Sequence, residues 1–178
     1  MNRKLFWWEL GGFLWTAAAG TLLHFAYEWS GENIAVATFS AVNESVWEHM
    51  KLLVMPVFFF TVVQVWAQGE LYPNITAVRP VTMTAGTLLI PVLYYTYTGA
   101  FGVQLPWVNI AVFYLAAAAV FLSDYRLLRT GRPSSPWAQL AGVVALWAVV
   151  FVFVWCTFRP VLLPLWQNPL TGTYGIPG

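Results

Sequence analysis

Residues 44–68 read ESVWEHMKLLVMPVFFFTVVQVWAQ, and this stretch decides the fold class. From Leu52 to Gln68 no residue is charged. A helix needs about 20 mainly apolar residues to cross a bilayer, and this run supplies them. Its opening turns are different in character, with Glu44, Glu48, His49 and Lys51 close together. Ionisable groups at that depth are costly in lipid, so they serve an ion, proton or substrate path unless they pair or snorkel. The segment therefore predicts a membrane helix with chemistry at its mouth. Asn43 is expected to cap it. Pro56, which lacks a backbone donor, is expected to kink it.

Outward from this segment, four more stretches qualify as spans: residues 5–27, 78–98, 106–128 and 136–158. The third span contains Pro91, and Pro106 is well placed in the first turn of the fourth. Composition agrees: 60% of the chain is hydrophobic and 8% is charged, against about 25% charged in an ordinary soluble domain. The expectation is an all-α integral membrane helical bundle of five transmembrane helices, forming a single domain over residues 1–178. Asn2-Arg3-Lys4 and Ala17-Ala18-Ala19 resemble parts of a signal peptide. Glu9 interrupts the apolar core and the run continues past the alanines, which predicts an uncleaved first helix. With the N-terminus cytoplasmic, Arg3, Lys4, Arg79, Arg126, Arg129 and Arg132 lie inside, and only Lys51 and Arg159 lie outside. That orientation satisfies the positive-inside bias and leaves the C-terminus outside.

Two connections carry structure of their own. Glu32-Asn33 is expected to start a short helix through Ile34, Ala37 and Phe39. The tail from Pro164 to Gly175 is rich in turn formers and is expected to form an ordered cap over the outer helix ends. A net charge of +1 and the lack of a basic stretch interleaved with aromatics exclude a nucleic-acid surface. Cys156 is the only cysteine, so no internal disulfide forms, and its apolar run marks it as a small buried hydrophobe.

The topology brings the histidines together. At about 1.5 Å per residue, His49 lies roughly 9 Å below Asn43 and His24 roughly 6 Å below Glu28. The two helices run in opposite directions, so these depths match. His24 and Glu28, Glu44 and Glu48, and Ser45 and His49 are each i,i+4 neighbours on one helix face. Glu48 and His49 diverge by about 100°, so a groove takes both only if they flank it. Imidazole with carboxylate suits zinc, iron or manganese. The candidate metal ligands are His24, Glu28, Glu44, Glu48 and His49, with Glu48 and His49 as the candidate catalytic pair. The order Glu-x-x-x-Glu-His matches neither the Glu-x-x-His of dimetal bundles nor the His-Glu-x-x-His of zinc proteases. Arg159 stands outside against the charge bias and is a candidate to hold an anionic group. Tyr95, in the cluster Tyr94-Tyr95-x-Tyr97, is a candidate to line the same pocket. Ser45 activated by His49 is a possible nucleophile by spacing.

Bland readings stand beside these. Glu44 complements the helix dipole, and Lys51 snorkels or pairs with Glu48 or Glu44. Glu9 pairs with Arg3 or Lys4, and Asp124 pairs with Arg126, Arg129 or Arg132. Gln64, Thr61, Gln104 and Asn109 make interhelical hydrogen bonds.

The run Val42-Asn43-Glu44-Ser45-x-Trp47-Glu48-His49-x-Lys51, with His24-Phe25-Ala26-Tyr27 before it, resembles a family of small bacterial and archaeal multi-pass membrane proteins of unknown function. The likeness extends to the Pro-Leu-x-x-Asn-Pro-x-x-Gly-x-Tyr-Gly tail. The resemblance implies the fold class and a prokaryotic inner membrane, and no reaction. Ser45 and His49 also echo seven-helix membrane hydrolases that gather Ser, Asp and His around zinc. This chain lacks their later His pair and two of their helices, so that function does not transfer.

The leading expectation is an outward-facing His/Glu pocket that binds a divalent metal or small polar ligand and supports hydrolysis of a lipid-linked substrate, with Glu48 as base. The first competitor is a proton-coupled carrier, disfavoured by the lack of a charge deep in the cytoplasmic half and of an internal repeat. The second is a structural or partner-docking protein stitched by an ion-pair network.

Overall fold

The computed structural model describes residues 2–176. Among them the chain forms α1 (Arg3–Trp29), α2 (Ile34–Ala37), α3 (Val46–Gln68), α4 (Ile75–Phe101), α5 (Pro106–Leu128) and α6 (Pro136–Phe158). The long helices alternate in direction, and α3 to α6 are each long and apolar enough to cross a membrane. α1 equals α4 in length, 27 residues each, and carries Arg3, Lys4 and Glu9 in its first turns.

Capping sets the ends. α5 and α6 begin at Pro106 and Pro136, where a missing N–H costs nothing. α3 begins two residues later than the sequence suggests, because Ser45 is its cap: Ser45 Oγ accepts from the Glu48 N–H at 3.3 Å. Asn43, expected in that role, instead accepts from the Ser45 N–H and donates to Gly175 O, both at 2.8 Å. α4 begins three residues before the expected start and contains Pro80 as well as Pro91. The short α2 forms where expected, with Asn33 Oδ1 accepting from the Ala35 N–H at 2.9 Å.

α3 is the hub: 61% of its most apolar window is buried, against 28% in α5 and α6. It is apolar on every side, packed by other helices through most of its length and exposing Val62, Val63 and Trp66 near its end. α1 lies along α3 and α5, while α4 packs against α3, α5 and α6. Small residues permit the closest approaches. A Cβ on Gly142 would sit 2.0 Å from Thr76 O, so α6 lies almost on the α4 backbone there. A second approach involves Pro56, which cannot donate to Leu52 O. That carbonyl faces Gly20, where a Cβ would lie 2.8 Å away. α1 and α3 therefore meet tightly one turn from His24 and His49.

The tail packs over one end of the bundle. Leu165 O accepts from the Trp47 N–H at 3.0 Å. Trp166 stacks on Trp47 at 4.6 Å, and Trp47 stacks on Phe153 at 4.2 Å. Gln167 pairs with Tyr174 in an isolated antiparallel bridge, and Asn168 is buried.

Two buried charge networks hold the helices. Near the end opposite the tail, Arg79 Nη1 lies 2.8 Å from Asp124 Oδ2, and Nη2 lies 3.6 Å from Glu9 Oε2. Gln64 accepts from Arg79 and donates to Glu9 Oε1 at 2.6 Å, while Thr82 donates to Asp124 Oδ1 at 2.6 Å. The guanidinium also lies over Phe121 and Phe60. Glu9 thus pairs with Arg79 and not with Arg3 or Lys4, and Asp124 also pairs with Arg79 and not with its own helix's arginines. Both corrections have one cause: Arg79 points into the bundle, fully buried, where it meets α1 and α5. Charge does reach the interior of this half, contrary to expectation.

The second network lies near the tail. Lys51 Nζ is 2.6 Å from Glu48 Oε2 and donates to Thr157 Oγ1 at 2.7 Å and Ala37 O at 2.9 Å, which uses all three N–H groups. Glu48 also accepts from Thr157 at 2.9 Å and from the Val42 N–H at 3.3 Å.

Candidate metal centre

His24 on α1, Glu44 in the turn before α3 and His49 on α3 converge beside the tail-covered end. His49 Nε2 lies 3.5 Å from Glu44 Oε2, and His24 Nε2 lies 3.9 Å from the same oxygen. The imidazole centroids are 5.1 Å apart, edge to face. One potential ligand atom from each residue falls within 4.8 Å of the other two. The side chains are partly open, at 32% exposure for His24, 31% for His49 and 44% for Glu44.

The tautomer of His49 follows from its helix position. Its Nδ1 lies 2.8 Å from Ser45 O, one turn back. A carbonyl only accepts, so Nδ1 carries a hydrogen, and Nε2, which faces Glu44, is the nitrogen that a metal would take. This is how metal-ligating histidines are usually braced, with the far nitrogen donating to a carbonyl. Four-coordinate zinc holds its ligands at about 2.0–2.2 Å, hence about 3.3 Å from one another. The two separations from Glu44 are wider, at 3.5 and 3.9 Å, and all three ligand atoms lie within 4.8 Å of one another, so both Glu44 and the histidine side chains, each partly exposed, would draw in around an ion. Three protein ligands also leave one position open.

Two cavities share the wall made by Glu44, His49, Pro106, Asn109 and Phe113. One, of about 390 Å³, lies between α3, α4 and α5 and is roofed by Pro169 and Leu170. The other, of about 300 Å³, lies between α1 and α5 and includes His24.

The other predicted site residues lie elsewhere. Glu48, one position from His49, is rotated into the Lys51–Thr157 network with both carboxylate oxygens engaged. Glu28 is exposed, one turn beyond His24. Arg159 ends α6 as an exposed cap and borders neither cavity. Tyr95 is 44% exposed; its neighbour Tyr94 is the tyrosine that lines the roofed cavity. Ser45 is buried with its hydroxyl committed to the α3 cap, which removes it as a nucleophile.

A family model, described as a family of unknown function (DUF6512), matches residues 3–176. The chain belongs to DUF6512. No curated protein and no solved structure matches it. The DUF6512 match thus spans the whole bundle, from the first turn of α1 into the tail, and brings no reaction with it. Within this DUF6512 chain, Asn109 makes an interhelical hydrogen bond, as its sequence position suggests, with Tyr97 of α4. Tyr97 OH accepts from the Leu105 N–H at 3.3 Å, so its own proton goes to Asn109 Oδ1. That fixes the amide orientation and leaves Asn109 Nδ2 as a donor on the shared cavity wall. The single signal in the sequence was a lone asparagine in the first turn of an apolar helix.

Proposed function

We propose that His24, Glu44 and His49 bind a divalent cation, with zinc, iron and manganese the candidates, at the extracytoplasmic face of a five-span membrane protein. The observation that carries this reading is the convergence of three ligand atoms within 4.8 Å beside a His49 whose Nδ1 is already tied to Ser45 O. The fifth span is α1, supported by its length and by Leu14, Trp15, Leu22 and Phe25 on its exposed surface. The orientation follows the basic residues, and the prokaryotic inner membrane is the location we infer for it.

Hydrolysis is the reaction class this arrangement suits. A cation with an open position lowers the pKa of bound water and polarises a carbonyl or phosphoryl oxygen. In this chain His24 and His49 would supply neutral donors, Glu44 the anionic one and Asn109 a hydrogen bond to substrate. Glu48 is reassigned from base to structural partner of Lys51.

The test is elemental analysis of protein purified without chelator. About one equivalent of metal is expected in the wild type, and its loss in His49→Ala, His24→Ala and Glu44→Ala. Wild-type protein free of metal, and unable to take up zinc, iron or manganese on titration, would end the proposal.

A further inference from the structure

The two cavities that share the Glu44–His49 wall open in different directions. The smaller one is a cleft with α1 and α5 as walls and His49 and Leu52 of α3 as its floor. Its far end is closed by Thr21 Oγ1 and Tyr114 OH, 3.3 Å apart, and by Phe113 packed against Gly20. From Pro106 to Tyr114 it follows α5 for about 12 Å. Phe25 and Ile110 border it and are 42% and 57% exposed, on a bundle surface that also presents Leu22 and Trp107. Such a surface faces hydrocarbon in a membrane-spanning bundle, so the cleft opens sideways to the bilayer.

The chemistry along the cleft is graded. Leu52, Phe113, Ile110 and Phe25 make its length apolar. The ionisable groups and the Asn109 amide donor gather at one end, with His24, Glu44 and His49, while the Thr21 and Tyr114 hydroxyls at the far end engage each other. No lysine or arginine lines either cavity. Compensation for an anionic head group beside Glu44 would have to come from the cation alone, whereas an uncharged one needs only an acceptor for Asn109 Nδ2.

We propose that this cleft takes one hydrocarbon chain of a membrane amphiphile entering laterally from the bilayer, with its uncharged polar head against Asn109 beside His24, Glu44 and His49. This deepens the metal-site reading by naming the class of molecule delivered to it, and rests on the same membrane-spanning bundle.

The protein, reconstituted in phosphatidylcholine vesicles, is illuminated with a monoacylglycerol bearing a diazirine at its chain end, and adducts are mapped by mass spectrometry. Adducts are expected on the cleft-facing residues of α1 and α5. Excess unlabelled monoacylglycerol should remove them, and Ile110→Trp, which fills the mouth from an exposed position, should abolish them. Labelling spread evenly over lipid-facing positions such as Leu88 and Val144, and indifferent to competitor, would mean surrounding lipid only and overturn the proposal. Stronger, competed labelling by the matching lysophosphatidate would overturn the uncharged head. Metal content measured on the same samples separates the two readings. Bound metal without competed labelling sinks the cleft alone, and competed labelling without metal sinks the metal centre alone.

Discussion

Two charged clusters in this bundle, one at each end, are built in opposite ways. At the end away from the tail, Arg79, Glu9 and Asp124 have side chains 0–4% exposed and are locked by Gln64 and Thr82. Near the tail, His24, Glu44 and His49 keep side-chain exposures of 31–44%, with Glu44 3.5 and 3.9 Å from the two histidines. The first group has found its partners within the chain. The second is held close together and left short of one, next to empty space. Buried charge that is ion-paired across helices speaks of assembly; partly open, convergent ligand atoms speak of a ligand.

The strongest way to break the comparison is Arg79→Met, which strands two carboxylates in the interior. Removing one member of a buried pair costs about 3–5 kcal/mol. The expected result is a large fall in melting temperature in detergent, partly restored by adding Glu9→Gln and Asp124→Asn. Lys51→Met should cost about 3–5 kcal/mol for the same reason, with recovery on adding Glu48→Gln. If Glu48→Gln alone removed bound metal while the fold held, the separation of Glu48 from the centre would be wrong.

Gly20→Val should drive a side chain into Leu52 O and Phe113. Overpacking of this kind costs about 1–3 kcal/mol, and by separating α1 from α3 it should also weaken metal binding. His49→Ala and Glu44→Gln sharpen the contrast from the other side. Both should lose metal while shifting stability by no more than about 1 kcal/mol, as partly exposed substitutions do. Binding in the wild type should also weaken in acid, since protons compete for the same lone pairs. The smallest effect belongs to Ser45→Ala, which removes a helix cap worth about 1 kcal/mol and leaves metal content unchanged, because its backbone carbonyl still holds His49.

Much of the outer group could be read from the chain, and little of the inner one. His24 and His49 were placed at one height by helix rise and antiparallel order, which are local arithmetic. α5 and α6 were legible to the residue because a proline opens each. Which side of α3 carries His49 was not legible: α3 is apolar all round, so the 100° between Glu48 and His49 had no reference direction. The Arg79 network was hidden for another reason. Its members come from four helices; on α1 and α5 the acids stand beside basic residues that pair with them equally well on paper, and on α3 Gln64 is one uncharged polar residue in an apolar run.

The bond from Asn43 to Gly175 joins residues 132 positions apart in the sequence. Asn43 immediately precedes Glu44, so the loop that carries the carboxylate of the candidate centre is anchored by a segment synthesised well after it. The histidines are synthesised early; the loop between them is fixed late. A bundle synthesised only as far as α6 would lack that anchor, and the cradle for the proposed cation would be unfinished.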